Sequence, residues 1–279
     1  MWHHQWIGIL ASCRGIGFSR KHYALATLPG AIASWLGLTT SVMSQIVPDN
    51  MGVESSVVTP NVPHQGNLIE RIDGGATRGS SLLHSFQDFN VLNGQRVYFA
   101  NPSAIENILG RVTGNQASEI FGTLGVLGDA NLYLINPNGI IFGENAQLDI
   151  RGSLFASTNN SLIFDNGYQF SSHNSDAPPL LTLNITPGLQ TGLPVNGTIS
   201  NRGNLSVGKD LQLVGNNLDL EGQLHSGGNL TLQATNKLQV RDRLANPFIA
   251  NAGEQLLIEG NKIDIFALNH PDSGFFSTG

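Results

Sequence analysis

The 279-residue sequence predicts an all-β chain wound into a stacked β-solenoid, and three observations carry that prediction. The first is a repeat near the C-terminus. "LQLVGNNLDL" places apolar residues at 211, 213, 218 and 220, and "LLIEGNKIDI" places them at 256, 258, 263 and 265, with identical spacing. "LTLQATNKLQV" has them at 230, 232, 238 and 240, the same pattern with one residue added in the turn. Two short alternating strands, a Gly/Asn turn and a repeat of about 20 residues suit a coil that pairs its backbone with its neighbours and buries one face of each strand. The second observation is composition: only 12% of residues are charged, against 33 Gly and 12 Pro, so long surface helices laced by Glu–Lys pairs are not expected. The third is that no window after Gln45 shows helical periodicity, while Leu, Ile and Val exceed the aromatics, which make up 7% of the chain, as a continuous aliphatic stack requires. A β-sandwich shares the short strands and turns, but its strands do not usually repeat their internal spacing.

Residues 1–44 carry Arg14, Arg20 and Lys21 and no acidic residue, followed by the uncharged run "YALATLPGAIASWLGLTTSVMS". A basic region, an apolar region and small residues at a cleavage position form an export signal, and Val42 and Ser44 suit the −3 and −1 positions, with the cut before Gln45 and with Ser41 or Gln45 as the alternative last residue removed. A membrane anchor is the rival reading, since the run approaches a bilayer-spanning length, and Pro29 and Gly30 weaken it. Removing this signal peptide takes three of 14 basic residues and none of 20 acidic ones, leaving 11 against 20 and a net charge of −9. It also takes Cys13, the only cysteine, so the remaining 45–279 must be stabilised without disulfides and without cysteine chemistry.

Within 45–279 the segment 66–100 reads as irregular early strands and hairpins, rich in aromatics at Phe86, Phe89, Tyr98 and Phe99. A solenoid end must cover both apolar surface and a free strand edge, so this segment is the expected N-terminal cap. "NLYLINPNGIIFG" (131–143) sets Leu132 and Leu134, then Ile140 and Phe142, on either side of four turn formers, which reads as strand, hard turn, strand. Polar, Pro-rich 171–197 reads as an excursion between two blocks of coils. The coil pattern still runs at "NHPDSGFFSTG", without a polar closing segment, so the expectation is a fragment of a longer protein.

Chemistry-bearing constellations are sparse. Nucleic acid is not an expected partner, because phosphate binding needs clustered Lys and Arg and the chain carries no basic stripe. A hydrolase on this fold would gather carboxylates on one outer face, and the candidates Asp149, Asp165, Asp210, Asp219 and Glu221 are single residues scattered through turns. His84 near Ser81, Ser85 and Asp88 has the residue types of a triad, although such neighbours co-occur by chance in a Ser-rich segment. The histidines at 64, 84, 173, 225 and 270 lack metal-ligand spacing. The reading is therefore no enzyme, no cofactor and no metal, with a long repetitive surface suited to binding or display.

"ANPSAIENILGRVTGNQASEIFGTLGVLGDANLYLINPNGIIFGENAQLDIRGSLFAST" (100–158) resembles the N-terminal secretion domain of filamentous haemagglutinin-like exoproteins, the cargo of two-partner secretion. "QIVPDNMGVESSVV" (45–58) looks like the mature start of cyanobacterial members, and "LLHSFQDFNVLNGQRVYF" (82–99) supports the likeness. The resemblance covers 45–170 closely and the later coils in general style. It implies a right-handed parallel β-helix with an N-terminal cap and small hairpins outside the coils. It further implies passage through periplasm and outer membrane to the medium or cell surface, after recognition by the periplasmic domains of a dedicated outer-membrane β-barrel transporter. Asn136, Pro137, Asn138, Gly139 and Ile140 match the family's secretion motif. Asn101 and Pro102 match the start of a second, Asn-Pro-Asn-Leu-like motif, from which Ser103 and Ala104 depart. An adhesin-type surface facing a host-cell or matrix ligand is the expected role of the downstream coils. The alternatives are a secreted β-helix enzyme acting on polysaccharide and a cytolysin or protease passenger, the latter needing a further domain.

Overall fold

The computed structural model describes residues 46–164, 167–177, 179, 190–191, 196–266 and 269–279; the expected signal peptide and Asp165 lie outside them. The three repeats form the strands Leu211–Leu220, Leu230–Val240 and Leu256–Ile265, paired in parallel. Leu211, Leu230 and Leu256 stand in one row; Leu218, Leu238 and Ile263 stand in another. The added residue of the middle repeat is absorbed by a register shift between Ala234 and Lys237, so the inward rows resume unchanged beyond it. That shift is a corner. Upstream, the two halves of Leu211–Leu220 pair with two separate strands, Leu154–Ser157 and Thr198–Asn201.

Each coil therefore has three faces. Face A stacks Ser81–Phe89, Asn107–Val112, Asn131–Ile135, Leu154–Ser157 and the first halves of the three long strands. Face B runs through the single pair Val91–Ile120, then Ser118–Ile120, Ile140–Phe142, Thr198–Asn201 and the second halves. Face C stacks Arg96–Ala100, Thr123–Leu127, Gln147–Asp149, Asn204–Val207, Gln223–Ser226, Ile249–Ala252 and Gly274–Ser277. The chain is thus a parallel β-helix whose described coils begin at 81, 107, 131, 154, 211, 230 and 256. The repeat in the sequence marks faces A and B but not C. Its signal was present as "GNLSVG" (203–208) and "GQLHSG" (222–227), where Gly brackets a four-residue strand with one large apolar residue, Leu205 or Leu224, pointing inward.

Burial explains why these residues stack. Ile108, Leu132, Leu154, Leu211 and Leu230 form one row on the axis, all within 3% of complete burial. Each such side chain contributes about 1.5–3 kcal/mol over its exposed state. Polar residues form a second stack at the corner before face A. Asn131 Nδ2 donates to Asn107 Oδ1, Ser153 N–H donates to Asn131 Oδ1, Asn229 N–H donates to Asp210 Oδ1, and Gln255 N–H donates to Asn229 Oδ1. This ladder satisfies backbone donors where the chain bends out of the sheet.

The N-terminal cap runs over 46–78, so the expected segment 66–100 is cap only in its first part. Ile46–Pro48 and Ala76–Arg78 both run antiparallel to Ser81–Phe89 and cover its outer edge, while the hairpin Ser56–His64/Asn67–Gly74 joins face C beside Arg96–Ala100. Residues 81–100 are already the first coil. Alternation along a strand cannot separate the two cases, because cap and coil strands share a period of two and differ only in the direction of their neighbour. The edge strand Ser56–His64 carries Pro60 and Pro63, which have no N–H to offer a further strand.

The excursion starts at 158 instead of 171. Ser161–Ile163 and Gln169–Ser171 form an antiparallel hairpin, with Gln190–Thr191 beside the first strand. Leu162, Phe164 and Phe170 pack on the outer side of face A against Leu83, Leu109, Tyr133 and Phe155. The first four strands of face A are thereby buried on both sides, which is why they read as near-continuous apolar runs, whereas its later strands alternate.

Candidate functional site

The Asn136–Ile140 motif forms the corner between faces A and B in the third coil. Gly139 N–H donates to Asn136 C=O at 3.1 Å, closing a turn, and Asn138 N–H donates to the Asn136 side-chain oxygen at 3.0 Å. Asn136 itself is fully buried. Its Nδ2 donates to Gln116 C=O and to Ser118 Oγ, both at 3.0 Å, so one amide clamps its own turn to the corner of the coil above. The backbone completes the stack: Asn136 N–H donates to Ser157 C=O of the coil below, and Gly139 C=O accepts from Ser118 N–H of the coil above. Gly139 has φ +128°, and a Cβ there would stand 2.9 Å from Thr198 C=O, so only glycine fits. Ile140 returns to the core between Ser118 and Ile199.

The five motif residues thus divide sharply. Asn136, Gly139 and Ile140 are buried, Pro137 is half-buried, and Asn138 is exposed. The Asn138 amide lies along the surface, donating to Gly114 C=O at 2.8 Å and to Asn136 Oδ1 at 3.1 Å. Next to Gly114 opens a polar cleft lined by Asp49, Gln87, Asp88, Thr113, Asn115, Ser172, His173 and Ser175.

Asn101 and Pro102 lie at the opposite edge of face A, in the turn that leads from face C into the second coil. Asn101 Nδ2 donates to Pro102 C=O and Ile105 C=O, and its Oδ1 accepts from Ala130 N–H in the next coil, so this Asn also ties two coils together. The structure does not bring the two Asn-Pro turns together; they bracket the same face from its two ends. Ala104, at the point of departure from the second motif, has φ +72°, a conformation that costs an L-residue about 1 kcal/mol. Ala104→Gly is therefore expected to raise the stability of the chain by roughly 0.5–1 kcal/mol, read as a higher denaturant midpoint with unchanged slope.

The remaining candidates do not converge. Asp149 accepts from the Tyr98 hydroxyl at 2.8 Å on face C, and Asp210 belongs to the polar ladder before face A. Asp219 and Glu221 are adjacent but neutralised, Asp219 by Arg241 and Glu221 by Arg241 and Arg243, at 2.6–2.8 Å. His84 points into the core with Nδ1 2.9 Å from Ser56 Oγ, whereas its neighbour Ser85 points outward and donates to Asp49. Adjacent strand residues face opposite sides, which rules out the Ser85–His84 pairing. Burial holds His84 neutral, its pKa pushed down to about 3. No cluster of metal-ligating side chains occurs among the described residues.

Sequence reasoning missed Arg111. It is buried on the outer side of face A, its guanidinium 4.4 Å from the centre of the Phe170 ring, donating to Ser85 Oγ and Asp176 C=O. Burial lowers its pKa to about 10. Arg78 plays the same part nearby, bonded to both Glu54 carboxylate oxygens and to Pro179 C=O. The two arginines bind the cap and the excursion to the first coils. No signal along the chain announces them, since their partners lie 24–101 residues away.

A family model described as "TPS secretion domain" matches residues 44–275. Among curated proteins, a heme/hemopexin-binding protein of Haemophilus influenzae strain Rd is 38% identical over 73 residues, 26% of this chain and 8% of the relative. Another heme/hemopexin-binding protein of Haemophilus influenzae is 31% identical over 93 residues, 33% of this chain and 10% of the relative. The matched segments thus span about a tenth or less of those relatives.

Proposed function

Since the chain belongs to the TPS secretion domain family, a family of export modules and not of enzymes, we propose that its first coils are the address read by a dedicated outer-membrane β-barrel transporter with periplasmic recognition domains. In this reading the signal peptide carries the chain across the inner membrane. The transporter then engages it before the β-helix has formed and releases it to the medium or cell surface, where the coils present an adhesin-type face to a host-cell or matrix ligand.

The observation that carries the reading is the split within the secretion motif. A Pro-fixed turn closed by its own Asn side chain and a positive-φ Gly is encoded locally and can form in an otherwise extended chain. Asn136, Gly139 and Ile140 set its shape and become buried, while Asn138 and the edge of Pro137 stay on the surface. We assign Asn138 and Pro137 the direct contact, Asn136, Gly139 and Ile140 the shaping, and Asn101 with Pro102 a second turn at the other edge of face A. The display role draws on the downstream coils, whose outer positions run Gln212, Thr231 and Gln233, Gln239 without an unneutralised carboxylate pair among the described residues. This supports display over the polysaccharide-hydrolase alternative.

The test is Asn138→Ala, co-expressed with the partner transporter, with export measured as chain in the medium. Loss of the Asn138 side chain leaves the clamp of Asn136 on Gln116 in place, so stability is expected to fall by only about 0.5–1 kcal/mol. Export is nevertheless expected to drop to the level seen without the transporter. Normal export of this variant would assign the motif to folding alone.

A further inference from the structure

We propose that Asn138 is a deamidation site, open while the chain is unfolded and closed by the fold, so that a chain held back before export loses its secretion motif through a spontaneous covalent step. Asn followed by Gly is the pair in which this step is easiest, because glycine has no Cβ to crowd its own nitrogen. The sequence has four such pairs, starting at Asn93, Asn138, Asn166 and Asn196, of which Asn166 lies outside the described residues. At Asn138 the Gly139 nitrogen gives its proton to a solvent base and attacks Asn138 Cγ. The bond from Cγ to Nδ2 breaks, the departing nitrogen takes up a proton, and ammonia leaves behind a five-membered succinimide. Water then opens the ring at either carbonyl, giving aspartate or isoaspartate, with nothing oxidised or reduced.

Two of the pairs occupy different positions within otherwise similar turns. Asn93 and Gly94 are the central residues of the turn 92–95, which is closed by Gln95 N–H donating to Leu92 C=O at 3.0 Å. Both are exposed, Gly94 has φ +78°, and nothing lies within 4 Å of a Cβ placed on it. The Gly94 N–H takes no part in closing this turn, so the attacking nitrogen is free. Asn138 and Gly139 sit one position later, in the turn 136–139. There the N–H that must be lost is the one that closes the turn, donating to Asn136 C=O at 3.1 Å. The Asn138 side chain is held as well, its Nδ2 donating to Gly114 C=O at 2.8 Å and to Asn136 Oδ1 at 3.1 Å. Both sets of bonds must open before Cγ can meet the Gly139 nitrogen. The fold therefore protects Asn138 and leaves Asn93 to age.

Either product spoils the motif. A carboxylate at 138 has no proton to offer Gly114 C=O or Asn136 Oδ1, so oxygen acceptors would face one another where two hydrogen bonds now stand. It would also add a negative charge beside the cleft that holds Asp49 and Asp88. Isoaspartate adds a methylene to the main chain and displaces Gly139 from the turn. The consequence for export rests on the direct contact assigned to Asn138 under the proposed function.

The test is peptide mapping by mass spectrometry of the exported chain, aged in one mildly alkaline buffer with and without an unfolding concentration of guanidinium. Asn93 serves as the internal clock. In the unfolded chain both sites are expected to convert at similar rates. In the folded chain Asn138 is expected to convert at least about tenfold more slowly than Asn93, because its turn must open first. Equal rates at the two sites in the folded chain, or no conversion of Asn138 in the unfolded one, overturn the inference. In cells with limiting transporter, converted Asn138 is expected in the periplasmic chain and not in the medium, and equal shares in the two overturn the loss of export. Export of Asn138→Asp at the parent's level, with the mapped rates as expected, overturns instead the direct contact of Asn138 with the transporter, while the protected site stands.

Discussion

Replacing Asn136 with alanine is expected to remove about 3 kcal/mol of stability and to abolish export together with it. Four hydrogen bonds go at once: two donated by Nδ2, to Gln116 C=O and Ser118 Oγ, and two accepted by Oδ1, from the Asn138 backbone and side chain. The two donated bonds are worth about 1 kcal/mol each net, and a buried acceptor left without its donor adds about 1 kcal/mol more, while the exposed Asn138 donors turn to water at little cost. The sum sits near the upper end of ordinary single-residue effects. Denaturant unfolding of the isolated chain gives the stability and chain in the medium gives export. Asn138→Ala separates the two readouts, because it spares the buried clamp. If Asn136→Ala unfolds at the parent's denaturant midpoint, the clamp does not have the energetic role its geometry assigns it.

The second large effect is a pH dependence centred on His84. The ring is buried beside Phe86 and Phe99, with Ser56 on Nδ1 and no partner on Nε2. Desolvation alone lowers its pKa from 6.5 to about 3. Between these values the unfolded chain binds a proton that the folded chain refuses. The native state is therefore unaffected above pH 6.5, loses about 1.4 kcal/mol per pH unit below it, and stops losing from this source below about pH 3. The integrated loss is roughly 5 kcal/mol, comparable to the total stability of many domains. His84→Gln keeps a neutral partner for Ser56 and cannot take up the proton. The gap between its stability and the parent's is therefore expected to close or invert as pH falls from 7 to 4, although Glu54, held below its usual range by Arg78, adds the same acid loss to both proteins. Parallel curves over that interval would show that the imidazole reaches water before the chain unfolds.

Both predictions come from residues whose sequence context was only half informative. Asn136 was legible as part of a turn, because Asn-Pro-Asn-Gly permits little else between two alternating strands. That its amide spans to Gln116, 20 residues away, depends on how many residues each coil takes to return to the same corner. His84 looked like a triad member beside Ser85 and Asp88. The strand sends it inward and Ser85 outward, which only the burial of face A on both sides makes plain, since neither neighbour is then in water. The carboxylates read as scattered single residues; the structure sets Asp219 and Glu221 together on Arg241, with Arg243 on Glu221, while Asp165 lies outside the described residues.

The sequence by itself determined the strands, the coil repeat in its last third, the Asn-Pro-Asn-Gly turn and the family. All of these are local: alternation has a period of two, turns are written in four residues, and repeats show themselves by spacing. Only the tertiary structure decided where the cap ends and the first coil begins, that each coil has a third face, that the excursion begins at 158 and seals face A, and which motif residues reach the surface. These depend on which strand lies beside which, in which direction, and with what covering it. A chain whose pairing is almost all between coils stores that information in partners some 20 or more residues apart, where no window along the sequence can read it.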